Sequence, residues 1–321
     1  MKLHICLTKH PTSYDIHNFT KHKMKDYHIA RAAFLKTKIW PQNYTIKIAF
    51  MKNPFTFQGS HFKNTQYTEE KAKWVEKVIK KYIEPFVNLK FEWDVPIKNS
   101  NVRISFMPEL GSFSEIGTDS LNQDINTITM NLGWLDKDYG SSDDISLAGT
   151  GVVIVHEFGH LLGMIHEHSR EDANLKWNKN KVYKTLAKPP NNWDKDMVDE
   201  QIFNQYSINS FNGSKYDKYS VMEYVFPNDF FINNPDLVKT KYLSNLDIIW
   251  MNKTYPGKDL PKGINEDGTG INPFGGSNIK GEGPGPSNNN SNIFSFLKDN
   301  IYILIIVILI IIIFIMLIHK K

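Results

Sequence analysis

An α+β fold is predicted by three observations: short alternating runs that read as strands, two segments of helical character, and turn residues between them. After an N-terminal extension (1–35), Lys38, Ile39, Trp40 and Pro41 lead into the alternating run 44–50, a strand. Residues 68–83 form a helix, because Ala72, Val75, Ile79, Tyr82 and Ile83 share one face below a polar start. Residues 101–106 read as a second strand. Gly111–Ser114 with Ile116 and Gly117 read as a turn, and 127–132 as a strand close before the next helix. That helix is expected from the apolar Leu147, Ala148, Val152, Val155, Leu161 and Leu162 behind a polar lead-in of Ser141, Ser142, Asp143 and Asp144. The net charge of +4 over 321 residues is mild. The local basic patch of Lys21, Lys23 and Lys25 is expected to be solvated, so no nucleic-acid partner is expected.

The chemistry sits in the second helix. His156 and His160 lie one helical turn apart and share a face, so both can offer a ring nitrogen to one metal ion. A third ligand requires the chain to turn back. Gly163 can take the left-handed conformation that ends a helix, which brings in His166. Glu157, beside the first ligand, is free to act on a water in the fourth position. His156, Glu157, His160, Gly163 and His166 make up the extended metalloprotease signature, with one catalytic Zn²⁺ as cofactor. His168 is not expected as a further ligand, because catalytic zinc sites keep a position open.

Some sixty residues later stands Ser220-Val221-Met222-Glu223-Tyr224. After an extended zinc motif it resembles the methionine-containing turn of the metzincins, and the aromatic two residues after the methionine resembles astacin-like enzymes in particular. The resemblance implies Met222 as the apolar floor of the site. It implies Tyr224 as a switch that reaches the metal and swings away to hold the oxyanion. It extends to Lys38–Pro41, to the strand 127–132, to Glu167, Ser169, Arg170 and the region near Trp177, and to Leu243, Ser244, Tyr255 and Pro256. A zinc metalloprotease domain is therefore expected over 36–256. Its implied fold is a twisted mixed-sheet lobe, an active-site helix and an irregular C-terminal lobe. The strand 127–132 is implied to be the sheet edge that receives an extended peptide.

The chain also departs from the pattern. Cys6 is its single cysteine, so no intramolecular disulfide can form and the core must supply the stability. Glu223 stands where many astacin-like relatives carry histidine. Glu171-Asp172-Ala173-Asn174 breaks the charge pattern that usually follows Arg170. No cysteine-switch or aspartate-bearing latency motif is recognisable before Lys36.

The expected activity is hydrolysis of peptide bonds in a polypeptide substrate, through a zinc-bound water activated by Glu157. The alternative is a non-catalytic, membrane-tethered metzincin-fold module that binds polypeptides, whose mark would be loss of the base or of a ligand. Neither is lost.

Residues 301–318 form an uninterrupted apolar run, about 27 Å long as a helix and close to the thickness of a bilayer's hydrocarbon core. A transmembrane helix is expected over 299–319, with the lipid bilayer as a partner. Residues 257–298, rich in Gly, Pro, Asn and Ser, are expected to form a tether. Met1–His10 lacks the apolar stretch of a signal peptide, and the lone cysteine suits a reducing compartment. A single-pass protein with a C-terminal anchor and a cytosolic catalytic head, on a viral or host-cell membrane, is the expectation.

Overall fold

Strand propensity and helix capping set the local elements, and pairing between distant segments arranges them. The computed structural model describes residues 7–9, 34–135, 150–188, 191–207, 209–224, 226–233, 235–237 and 243–274. Its strands are β1 (Leu7–Lys9), β2 (Phe34–Leu35), β3 (Thr45–Phe50), β4 (Phe55–Phe57), β5 (Ser60–Phe62), β6 (Lys90–Glu92), β7 (Val102–Ser105), β8 (Ser112–Glu115), β9 (Met130–Leu132) and β10 (Phe211–Asn212). Its α-helices are α1 (Glu69–Tyr82), α2 (Thr150–Leu161), α3 (Lys179–Leu186), α4 (Lys195–Val198) and α5 (Asn245–Thr254).

The helix α1 begins where the sequence predicts. Thr68 Oγ1 accepts the Lys71 N–H, Glu69 and Glu70 stand in the first turn, and Lys80 and Lys81 stand in the last. Its buried face carries Ala72, Trp74, Val75, Val78, Ile79 and Tyr82. The main sheet runs β1-β8-β9-β7-β3-β6. Strands β3, β6, β7 and β9 pair in parallel, β8 is antiparallel to β9, and β1 is parallel to β8. Against this sheet α2 packs on β8 and β9, and also on α1. One apolar core joins Ile46, Ile48, Val102, Ile104 and Met130 of the sheet to Val75 and Ile79 of α1 and to Val155 and Phe158 of α2. A second cluster, with Val182, Leu186, Val198, Ile202, Phe226 and Phe230, forms a lobe of short helices and turns.

Two sequence expectations change here. Strand β9 lies between β7 and β8, so the segment 127–132 is interior rather than the sheet edge. Ser112–Glu115, read as a turn, is the antiparallel strand β8. Its serines give it little strand propensity, and pairing with β9 decides the matter. The packed body also extends beyond 36–256 at both ends. Phe34 is fully buried, and β2 pairs with β10. Residues 257–274, expected as the start of the tether, pack down: Phe274 lies against Tyr82 and Phe86, and Asn272 Nδ2 donates to Leu243 O.

The chain divides into a unit Met1–Lys280 and a unit Gly281–Lys321. Cys6, the basic patch, the lead-in 141–144 with Leu147 and Ala148, the stretch 275–298 and the apolar run 301–318 lie outside the described residues. Among the described residues no helix is long and apolar enough to cross a membrane.

Candidate active site

The helix α2 turns His156 and His160 to one side and ends at Gly163, whose φ of 100° is left-handed as the motif requires. Gly163 N–H donates to His160 O at 2.8 Å, and Met164 N–H to Gly159 O at 2.9 Å. The chain then reverses and delivers His166. His166 Nε2 lies 3.2 Å from His156 Nε2 and 3.1 Å from His160 Nε2. The three residues are buried, and their ligand atoms lie within 4.8 Å of one another.

Two outer contacts set the tautomers. His156 Nδ1 lies 2.8 Å from Val221 O, and His160 Nδ1 lies 2.8 Å from Met164 O. A carbonyl only accepts, so each Nδ1 carries the proton and each Nε2 turns a lone pair inward. Burial holds the His156 imidazole neutral, with its pKa lowered to about 4. Converging lone pairs on neutral imidazoles repel unless a cation lies among them. The donor set therefore fits one zinc ion.

Glu157, next along α2, is fully buried. Met222 lies beneath the helix, where Gly159 leaves room: a Cβ at 159 would stand 2.6 Å from Met222 Sδ. The Tyr224 ring lies 4.8 Å from that of His166 and 5.4 Å from that of His156. His168 points elsewhere. Its ring stacks on His166, and its Nε2 donates to Gln201 O at 3.3 Å. Trp177 and Phe226 meet the His168 ring edge to face.

A buried polar scaffold holds the methionine turn, and sequence reasoning missed most of it. Asp247 at the start of α5 accepts from Ser220 Oγ at 2.6 Å and from the Val221 and Ser244 N–H groups at 2.9 Å. Ser244 and Asp247 also form the capping box of α5, a signal legible as Ser-x-x-Asp. Ser244 Oγ donates to Asp217 at 2.6 Å, and the Asp217 N–H donates to Glu167 at 2.8 Å. Arg170, fully buried, completes the chain of contacts: Nη1 reaches both Glu167 oxygens at 3.1 Å, and Nε and Nη2 grip Asp172 at 2.8 Å. The Met222 carbonyl accepts the Glu167 N–H at 3.1 Å, tying turn to ligand loop. Burial raises the Asp217 and Glu223 carboxyls, and raises that of Asp247 to about 7 with the help of Asp217. Burial also disfavours the Arg170 charge, but Glu167 and Asp172 outweigh it and hold the guanidinium protonated.

Part of this chain is similar to known proteins. Residues 140–256 match the model of the Astacin peptidase family. A solved structure of myroilysin superposes with a TM-score of 0.57 at 29% identity, covering 71% of this chain and 99% of that one. High choriolytic enzyme 1, a hatching enzyme zinc-protease from the medaka fish Oryzias latipes, aligns at 18% identity with a TM-score of 0.45. That alignment covers 71% of this chain and 98% of the hatching enzyme. Among curated protein sequences nothing matches. The fold is α+β and of the astacin-like metzincin type. With three histidines placed to hold one zinc ion, the chain is an astacin-like zinc metalloendopeptidase.

Proposed function

We propose that this chain is a membrane-anchored endopeptidase in which Glu157 is the general base and Tyr224 the oxyanion donor. The observation that carries the reading is the buried carboxyl group of Glu157, next in the helix to a convergent histidine triad. When bound by His156, His160 and His166, zinc acts as a Lewis acid that polarises the scissile carbonyl and acidifies the attacking water. Glu157 takes the proton of that water as the new C–O bond forms, then delivers it to the amine nitrogen as the C–N bond breaks. The Tyr224 hydroxyl donates a hydrogen bond to the oxygen that gains negative charge. Gly163 and Met222 act through geometry, the one bringing in His166 and the other supporting the histidines from below.

The polypeptide lies in extended form along the outer edge of β8, whose neighbour α2 carries the catalytic groups. In the structure β1 is paired to that edge, Leu7 with Phe113 and Lys9 with Glu115, so substrate and β1 compete for the same backbone groups. Residues 301–318 anchor the protein in a bilayer, and their unbroken apolar composition supports this. With a single cysteine the head needs no oxidising compartment, and we place it on the cytosolic side.

The test compares the full chain with its Glu157→Ala and Tyr224→Phe variants for zinc per chain and for digestion of a diverse peptide library. One zinc in each is expected. Cleavage should fall by about a thousandfold without Glu157 and by about a hundredfold without the Tyr224 hydroxyl. Normal cleavage by Glu157→Ala would remove that residue as the base. Sedimentation with membranes that survives deletion of 301–321 would remove the anchor.

A further inference from the structure

The strand β8 is short, rich in serine and bounded by a left-handed glycine, so something other than its own propensity must hold its position. The Asn131 carboxamide does so. It is fully buried, and four groups surround it. Ser105 Oγ donates to Oδ1 at 2.6 Å, and the Met107 N–H donates to the same oxygen at 2.9 Å. On the other side Nδ2 donates to Met107 O at 2.8 Å and to Gly111 O. The oxygen faces two donors and the nitrogen two carbonyls, so only one orientation of the amide satisfies all four. These contacts join β9 and the end of β7 to the turn 107–111 that launches β8. The knot is tight: a Cβ on Gly133 would stand 2.3 Å from both Gly111 O and Met107 O.

We propose that Asn131 is a positioning residue for substrate. Its four hydrogen bonds go to neither the metal ligands nor Glu157, and it sets the height and register at which β8 presents its outer edge to an extended peptide. This rests on the reading of β8 as the docking edge. An aspartate in its place keeps the shape but loses the Nδ2 donor, and turns an oxygen toward the Met107 and Gly111 carbonyls. The turn then moves, and β8 moves with it. Substrates long enough to lie along β8 feel the change, whereas a substrate that spans only the scissile bond does not.

The experiment measures kcat and KM for the zinc-loaded full chain and its Asn131→Asp variant, using a decapeptide and a short fluorogenic amide. For the decapeptide KM should rise about tenfold with kcat nearly unchanged, which corresponds to about 1.4 kcal/mol of lost binding. For the short amide both constants should stay within about twofold, and zinc per chain should not change. Ser105→Ala, which removes one donor and leaves the backbone contacts in place, should raise the decapeptide KM by about two- to threefold. It also keeps the question answerable if Asn131→Asp folds poorly. Equal changes for both substrates, or a fall in kcat alone, would overturn the proposal. Hydrogen exchange of the Ser114 amide, which faces away from β9 because its neighbour Glu115 N–H donates to Thr129 O, separates the two layers when read in a Glu157→Ala protein that also carries Leu7→Pro and Thr8→Pro. If the decapeptide leaves that amide unprotected, docking on β8 is wrong. If it protects it and binds as well with Asn131→Asp added, the positioning role is wrong.

Discussion

A methyl group added at Gly159 probes how closely the methionine turn sits under the metal site. In the structure that Cβ would stand 2.6 Å from Met222 Sδ, and 3.4 Å from Met222 Cε and Met164 Sδ. Ordinary contact distances are about 3.5–4.0 Å, so the Met222 sulfur must retreat by about 1 Å. Met222 is fully buried, which leaves it little room. Its flexible side chain absorbs part of the strain, and overpacking of this kind costs about 1–3 kcal/mol. Replacing glycine by alanine in a helix returns about 1 kcal/mol. The net expectation for Gly159→Ala is a loss of about 0–2 kcal/mol, read by urea unfolding of the zinc-free protein. The larger effect falls on the metal. Val221 O orients His156 and Met222 O holds the Glu167 N–H, so a displaced turn should weaken zinc binding about tenfold in competition with a chelator. Met222→Ala alone should cost about 2–5 kcal/mol through its cavity. Gly159→Ala added to it should then be neutral or stabilising, an interaction of about 1–2 kcal/mol in the double-mutant cycle. A Gly159→Ala protein stabilised by the full helix propensity, with unchanged zinc affinity, would refute the close packing.

Other parts of the structure give expectations of their own. Arg170→Met leaves the buried Glu167 carboxyl, whose pKa burial already raises to about 8, and Asp172 without their guanidinium donors, and should cost about 3–5 kcal/mol, measured by denaturant midpoint. A surface pair would lose under about 1 kcal/mol, so a loss that small would contradict the buried geometry. Asp247 binds its proton more tightly folded than unfolded, since burial raises its pKa from 3.8 to about 7. Across that window the native state holds the extra proton, so its contribution to stability is present below the unfolded pKa and is lost as pH rises toward 7. In the zinc-free protein, stability should therefore fall with rising pH between about 4 and 7 more steeply for the parent than for Asp247→Asn. Equal slopes would argue against the raised pKa. Replacing Leu7 and Thr8 together by proline removes two of the three N–H groups of β1 and disrupts its pairing with β8. Decapeptide cleavage by the full chain should rise about tenfold if β1 competes with substrate. An unchanged rate would show that it does not.

The metal ligands were legible because their geometry is local. One helical turn between His156 and His160, a glycine able to reverse the chain and His166 three residues on encode the triad with little help from the rest of the molecule. The helix α1 was legible for the same reason, its cap and apolar face lying within the single short stretch 68–83. Local signals misplaced the sheet edge. Nothing in Gly111–Ser114 marks a strand, and the alternation at 127–132 looks the same in an interior strand as in an edge strand. Pairing to β7 on one side and β8 on the other gave β9 its place. The scaffold behind the methionine turn was hidden for a related reason. Arg170, the neighbours Asp217 and Ser220, and Asp247 come from three separate segments, and the bonds of Asp217, Ser220 and Val221 to Ser244 and Asp247 form only once α5 packs beneath the turn. Phe274 belongs to the body because Tyr82 and Phe86 are there to receive it, although the composition around it resembles a linker. The sequence by itself determined which atoms can hold the metal, through spacings shorter than one helix. The tertiary structure alone decided the order of the strands in the sheet and which polar groups meet behind the methionine turn, because those contacts join segments that approach only when the chain is folded.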